Sequence, residues 1–389
     1  MSLLDSYRSK SSRLVAGVMS GTSLDGIDVA FVEISGTGPA LQFRLHGFHA
    51  VPFQPELRRR LFAASAGEMT LRGAFELDAD LGDAYAVAIR DAAGALGVEI
   101  REIDAVGLHG QTIYHAPRRS PNGLSVQIGS AAAVCEALGS IVVSDFRSAD
   151  VAAGGEGAPL VPYCDYVLLG SAEHNRVALN IGGIANITWL PRNGDADALV
   201  AFDTGPGNML IDAAMRELIG LDYDADGALA GSGHPDEPWV EELLADEYYG
   251  WAPPKSAGRE RFGEEVGRQL ARTGRERGAF PADIIATLTL LTARSIARGT
   301  RDFAAAGAPV DEVIVGGGGA SNRTLMRMLA SEFPEARVLP ADHYGLPADA
   351  KEAICFAILA NERLLETPAN VPSVTGARRR VVCGAVRVP

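Results

Sequence analysis

The residues best suited to chemistry in this chain are short polar groups set among glycines at the ends of apolar runs. Asp203 closes the run Val200-Ala-Phe and opens Thr204-Gly-Pro-Gly-Asn208. A carboxylate at a strand end can take a proton or hold a metal. Gly205, Pro206 and Gly207 would set backbone donors near the start of a following helix, where anions are stabilised. The same pattern also suits an Asx turn or a helix N-cap. Near the N-terminus, Ser20-Gly-Thr-Ser-Leu-Asp-Gly-Ile27 offers glycine amides and the hydroxyls of Thr22 and Ser23. Such a tip can hold phosphate, or it can simply turn a hairpin.

Further along, Gln111 and Thr112 in His109-Gly-Gln-Thr112 suit sugar hydroxyls or a turn equally well. His109 and His115 have no acidic or cysteine companion at metal-ligand spacing and read as structural. Arg147 lies between Asp145 and Asp150. Those three read as a salt-bridge cluster at a domain join, with a substrate-facing role as the alternative. Gly316, Gly317, Gly318 and Gly319 follow an apolar run, and four glycines would let a flat ring lie against the backbone. Lys255, in Pro253-Pro-Lys-Ser256, could approach phosphate or stay on the surface. Asp349-Ala-Lys-Glu352 has the spacing of a capping box.

Strands and glycine turns must position these groups. The runs 15–34 and 176–190 share one design: strand, glycine-centred turn, strand. This weak internal repeat predicts two duplicated domains. Helices are expected at 56–64, 75–96, 129–138, 209–219, 283–305 and 353–365. Ser148 to Pro162, with three glycines in four positions and then two prolines, is expected to be a loop or crossing without helix.

The 389 residues suggest two domains, and 47% hydrophobic content with 22% charge is globular. A net charge of −14 disfavours nucleic acid as a partner. No apolar run is long enough for a membrane span, and residues 1–13 lack a signal-peptide core, so the cytoplasm is expected. The four cysteines are scattered and are expected to be reduced, mostly buried thiols. The P-loop signature is absent because none of the three lysines follows glycine.

Taken together, the motifs resemble the 1,6-anhydro-N-acetylmuramic acid kinases of the actin-like and sugar-kinase superfamily. The matching stretches are Met19-Ser-Gly-Thr-Ser-Leu-Asp-Gly-Ile-Asp28, His109-Gly-Gln-Thr112, Val126-Gln-Ile-Gly129, Asp145-Phe-Arg147, Gly157-Ala-Pro-Leu-Val-Pro162, Asn180-Ile-Gly-Gly183, Phe202-Asp-Thr-Gly-Pro-Gly-Asn208, Pro253-Pro-Lys-Ser256 and Gly316 to Gly319. The resemblance implies an α/β fold of two duplicated actin-like, ribonuclease H-like domains flanking an ATP and sugar cleft. It divides the chain into an extension (1–13), domain I (14–150 plus about 350–389) and domain II (151–349).

It further implies that Asp203 is the catalytic base as water opens the anhydro bridge and O6 takes the γ-phosphoryl group of Mg-ATP. The product would be N-acetylmuramic acid 6-phosphate, in cell-wall recycling. ATP would be held by Ser20, Gly21, Thr22, Ser23, Leu24, Asp25, Gly26, Ile27, Gly182, Gly183, Gly205, Gly207 and Gly316 to Gly319. Gln111, Thr112, Arg147 and Glu352 would face the sugar, and Asp25 is the one candidate contact for Mg2+. The expected partners are thus an amino sugar and ATP, with a homodimer the one protein partner entertained. Alternatives are a kinase of another hexose and a non-catalytic ATP-binding switch. The sequence departs from the family pattern at Glu156, where Gln is commoner, and at Ala257, which replaces a common Thr.

Overall fold

The computed structural model describes residues 2–21, 23–116 and 123–389. The chain divides into two compact units, Met1–Leu168 with Ala350–Pro389 and Leu169–Asp349. Residues 151 to 168, assigned above to domain II, therefore fold with the first unit.

The strands in chain order are β1 (Ser12–Met19), β2 (Gly26–Ser35), β3 (Gln42–Pro52), β4 (Ala105–Leu108), β5 (Gln111–Ala116), β6 (Leu124–Ile128), β7 (Ile141–Ser144), β8 (Arg176–Ile181), β9 (Ile184–Leu190), β10 (Val200–Pro206), β11 (Glu312–Gly316), β12 (Arg337–Pro340) and β13 (Ala385–Arg387). In the first unit the sheet order is β13-β7-β4-β1-β2-β3. There β1, β2 and β3 are antiparallel neighbours, and β4 and then β7 continue parallel to β1. The second unit has β10-β9-β8-β11-β12. Its β8, β9 and β10 are antiparallel, and β11 and β12 continue parallel to β8. Each unit is thus a three-strand meander extended by two parallel strands on the far side of its first strand. That is the duplicated ribonuclease H-like, actin-like arrangement, and the glycine turns at 20–26 and 182–183 occupy equivalent β-β corners.

Strand alternation decides how the first sheet is covered. Ala16, Val18, Val106 and Leu108 face a core with Leu77, Leu81, Tyr85 and Ile89 of the helix Leu71–Leu96. On the opposite face Gly17 pairs in register with Gly107. A methyl on Gly17 would lie 1.8 Å from the Ala353 carbonyl oxygen, and one on Gly107 would lie 2.0 Å from that of Phe356. The two glycines let the helix Lys351–Leu364 rest on the sheet backbone. In the second unit the helix Pro281–Gly299 sends Ala293, Ile296 and Ala297 against Val177, Leu179 and Ile187.

Two expectations need correction. Ser148–Ala152 is a short helix inside the segment expected to lack one. Its Asp150 is fully buried and accepts from the Gly157 N–H, Asn370 and Thr375, which replaces the missing continuation of the helix with side-chain bonding. No capping box forms at Asp349-Glu352, because Ala350 is the N-cap and no side chain caps it. The N-terminal extension is ordered: Leu3–Ser9 is a helix capped by Ser2 and Asp5, and buried Tyr7 donates to Asn361. All four cysteines are free and buried.

Candidate active site

Asp203 lies in β10, an edge strand, where pairing with β9 slips between Asp203 and Gly205. The open side of the strand is covered by residues 248–257. The Tyr248 hydroxyl donates to the Asp203 carbonyl at 2.6 Å, and the Asp203 N–H donates to the Lys255 carbonyl at 3.2 Å. The Ala257 N–H donates to Asp203 Oδ2 at 2.8 Å. The side chain is half-buried, and loss of hydration pushes its pKa up to about 6 against the lowering effect of the Ala257 bond. A carboxylate held this way is mostly ionised at neutral pH yet basic enough to accept a proton.

The turn beside it is tightly knotted. Gly207 and Met209 donate backbone N–H groups to the Gly183 carbonyl at 2.8 and 3.1 Å, and the Asn208 N–H reaches that of Gly182 at 2.8 Å. A methyl on Gly207 would stand 2.3 Å from the Gly182 oxygen. The Gly207, Asn208 and Met209 amides are therefore all committed to the fold, and none of the three is the free backbone donor expected at this turn. At the end of β11, Gly317 has φ +76° and a methyl there would meet the Ile181 oxygen at 2.7 Å. A methyl on Gly319 would strike the Ile181 side chain at 2.4 Å. Packing against β8 accounts for those two glycines. Gly318 has nothing within 4 Å of the methyl it lacks, and at Gly316 only ordinary contacts would arise, so these two leave room for a ring.

The first unit carries the other predicted residues. Thr22 lies outside the described residues. Ser20 is buried and its hydroxyl is shared with Tyr85 at 2.6 Å, while Leu24 and Ile27 are core. Gly26 pairs with Pro52 inside the sheet. Gly21, Ser23 and Asp25 are left as the accessible part of the tip. The Asp25 carboxylate is 77% exposed and lies 3.9 Å from Arg58. Gln111 is fully buried and donates to the Gly21 carbonyl at 3.1 Å, so it braces that tip. Thr112 accepts from Gln127 at 3.2 Å.

Arg147, Asp145 and Asp150 do not form the expected salt-bridge cluster. Asp145 accepts from Ser148 on the surface, and Arg147 donates to His109 Nε2 at 2.9 Å and to the Gly157 carbonyl at 3.2 Å. Burial, with help from Arg147, drives His109 down to about 3, so the ring is neutral and its proton sits on Nδ1. Glu352, one residue into its helix, is solvent-exposed. The protein mass around it still raises its pKa by desolvation, which the charges of Lys351 and Arg147 partly offset. Lys351 itself pairs with Asp165 at 2.6 Å in the interior. Arg147 and Glu352 thus interact electrostatically.

A family model described as anhydro-N-acetylmuramic acid kinase matches residues 13–389. The chain belongs to the anhydro-N-acetylmuramic acid kinase family. A relative of that name from Salinibacter ruber is 41% identical over 100% of both chains. Another, from Caldanaerobacter subterraneus subsp. tengcongensis, is 40% identical over 97% of each. Among solved structures, the activator of 2-hydroxyisocaproyl-CoA dehydratase from Clostridium difficile is similar over 91% of this chain and 96% of its own, at 12% identity and a TM-score of 0.45, too weak a likeness to argue from. Membership in the anhydro-N-acetylmuramic acid kinase family makes the protein an enzyme and a kinase. It also clarifies one departure from the family pattern. The contact at Ala257 is made by its backbone N–H, so replacing the family's common Thr leaves the bond to Asp203 intact.

Tyr248 is a site residue that no motif singles out; its only signal in sequence is the aromatic run Tyr248-Tyr249-Gly-Trp251 shortly before the Pro-Pro-Lys-Ser loop. The Gly17 and Gly107 pair likewise lies outside the motifs, although an isolated glycine within an apolar strand run is itself a sign of close backbone approach.

Proposed function

We propose that the protein hydrolytically opens the 1,6-anhydro bridge of anhydro-N-acetylmuramic acid and phosphorylates O6, giving N-acetylmuramic acid 6-phosphate in peptidoglycan recycling. The observation that carries this reading is Asp203, whose backbone is fixed on both sides and whose Oδ2 is held by the Ala257 N–H. Among the described residues no donor is bonded to its Oδ1, which is the atom we assign to the incoming water. Water adds to C1 and gives its proton to Asp203. The C1–O6 bond breaks, and O6 attacks the γ-phosphorus of ATP and displaces ADP.

Arg147 and Glu352 would orient the sugar. Gly21, Ser23 and Asp25 would serve the phosphates, as would the Gly182-Gly183 corner, with Gly316 and Gly318 serving the adenine. Among the described residues no group of three or more His, Cys, Asp or Glu gathers to cage a metal. Magnesium arriving with ATP phosphates needs only one or two carboxylates, and exposed Asp25 fits as such a single contact. When bound, the ion would neutralise charge on the phosphates during transfer.

Comparing the wild type with Asp203→Asn tests the assignment. The substitution is expected to lower kcat by about a hundredfold or more while ATP binding persists. Near-normal turnover by Asp203→Asn would overturn it.

A further inference from the structure

Lys255 occupies an unusual position for a lysine. Its side chain turns back from the 253–257 segment and is half-buried. Nζ lies 4.7 Å from the Phe303 ring centroid, 4.8 Å from that of Tyr248 and 5.4 Å from that of Phe202. Its hydrogen bond goes to the Tyr248 carbonyl at 3.2 Å. Three aromatic faces around one ammonium form a cation–π cage, which is stronger when desolvated. Its walls come from three places. Phe202 directly precedes Asp203, Tyr248 donates its hydroxyl to Asp203, and Phe303 lies in the wound turn Thr300–Ala304. The backbone of the caged residue takes the Asp203 N–H, and Ala257, two positions on, binds the Asp203 carboxylate.

We propose that Lys255 is a positioning residue for Asp203: its caged ammonium pins residues 248–257 against the edge of β10 and so fixes both backbone groups and one carboxylate oxygen of the base. This rests on the reading of Asp203 as the base.

The chemistry follows from the geometry. A carboxylate misplaced by an ångström loses alignment with the attacking water and costs rate without weakening ligand binding. If the loop is released, the Ala257 N–H leaves Oδ2, and a stabilising bond to the charged carboxylate is lost. Burial is the larger influence on Asp203, and it is relieved as the loop lifts, so its pKa must fall from about 6 and the acid limb of the rate profile must move to lower pH. Lys255 brings a second limb. Loss of hydration and the charge of Arg298 lower its pKa to about 8, against the opposing charge of Asp302, so the cage loses its cation in mild alkali. The other charged groups nearby are Arg261, which stacks on Tyr248, and its ion-pair partners Asp246 and Glu247.

The test is the pH dependence of kcat and of kcat/KM for the wild type, Lys255→Met and Lys255→Arg, with anhydro-N-acetylmuramic acid and ATP. Lys255→Met keeps the stem and removes the charge. It is expected to lower kcat about tenfold or more, to leave both KM values within about threefold, and to shift the acid limb downward. Lys255→Arg should restore most of kcat and abolish the alkaline fall near pH 8, because arginine stays charged. If Lys255→Met keeps kcat within about twofold with an unmoved acid limb, or loses activity only through KM, the assignment is wrong. Should Lys255→Met fail to fold, Tyr248→Phe decides, since it removes only the hydroxyl that holds the Asp203 carbonyl. A kcat loss at unchanged KM supports the clamp, and wild-type kcat overturns it. An active wild type silenced by Asp203→Asn leaves only the clamp on trial, whereas a wild type inert toward this sugar takes both readings down.

Discussion

Asp203, the proposed base, is held in a state that suits proton transfer at the expense of stability. Its folded pKa, raised to about 6 from 3.8, means that the folded protein binds this proton more tightly than the unfolded chain does. The group therefore contributes stability that is fully present below the unfolded value and is lost as pH rises through about 6. Catalysis runs the other way, because only the ionised form accepts a proton, so turnover should fall as pH drops below about 6. Asp203→Asn removes the buried charge and should stabilise the protein at neutral pH by about 1 to 2 kcal/mol while lowering kcat about a hundredfold or more, measured by denaturant unfolding beside the kinetic assay. A destabilised variant would contradict the view that the site strains the fold.

At the scale of elements, the position of Glu352 depends on how closely its helix approaches the sheet. Gly17→Ala or Gly107→Ala would place a methyl against helix backbone that has no room to yield. Each is expected to cost about 3 kcal/mol or more and to lower soluble yield. Gly94→Ala, within the helix Leu71–Leu96 and with nothing near the added methyl, should instead stabilise by about 0.5 to 1 kcal/mol. Equal effects from the two kinds of change would show that the close helix-to-sheet contact is not what these glycines serve.

Contacts of this kind separate what the sequence disclosed from what it hid. The β-glycine-β corners, the long helices and the Asp203 turn follow local patterns of period and composition, and they were legible. Gly17 pairs with Gly107 across 90 positions and meets a helix more than 200 further on, so no window of sequence contains the reason for either. Asp203 likewise takes its support from Tyr248, Lys255 and Ala257, residues that only the fold brings to the strand edge. Glu352 shows the reverse error. Its capping-box spacing was a correct local pattern, but the helix starts one residue after Ala350 and leaves the carboxylate exposed.

For the whole molecule, two units with the same strand order are joined unequally. The second, Leu169–Asp349, is continuous, whereas the first is completed by the chain's last segment, which supplies its central helix and the edge strand β13. Residues 169–349 expressed alone should give a cooperative unfolding transition, because the sheet and both of its apolar clusters lie within that span. Residues 1–168 alone should not, because Gly17 and Gly107 would face water instead of their helix. A non-cooperative transition for 169–349 would contradict the independence of that unit.

The central claim is that one active site both adds water across the anhydro bridge and transfers a phosphoryl group. The most direct measurement is mass analysis of the sugar formed from anhydro-N-acetylmuramic acid and ATP in oxygen-18 water. The expected product carries one phosphate and one labelled oxygen, that oxygen at C1, and forms in step with ADP. A phosphorylated sugar that still retains its anhydro bridge, or ADP release that does not depend on this sugar, would contradict it.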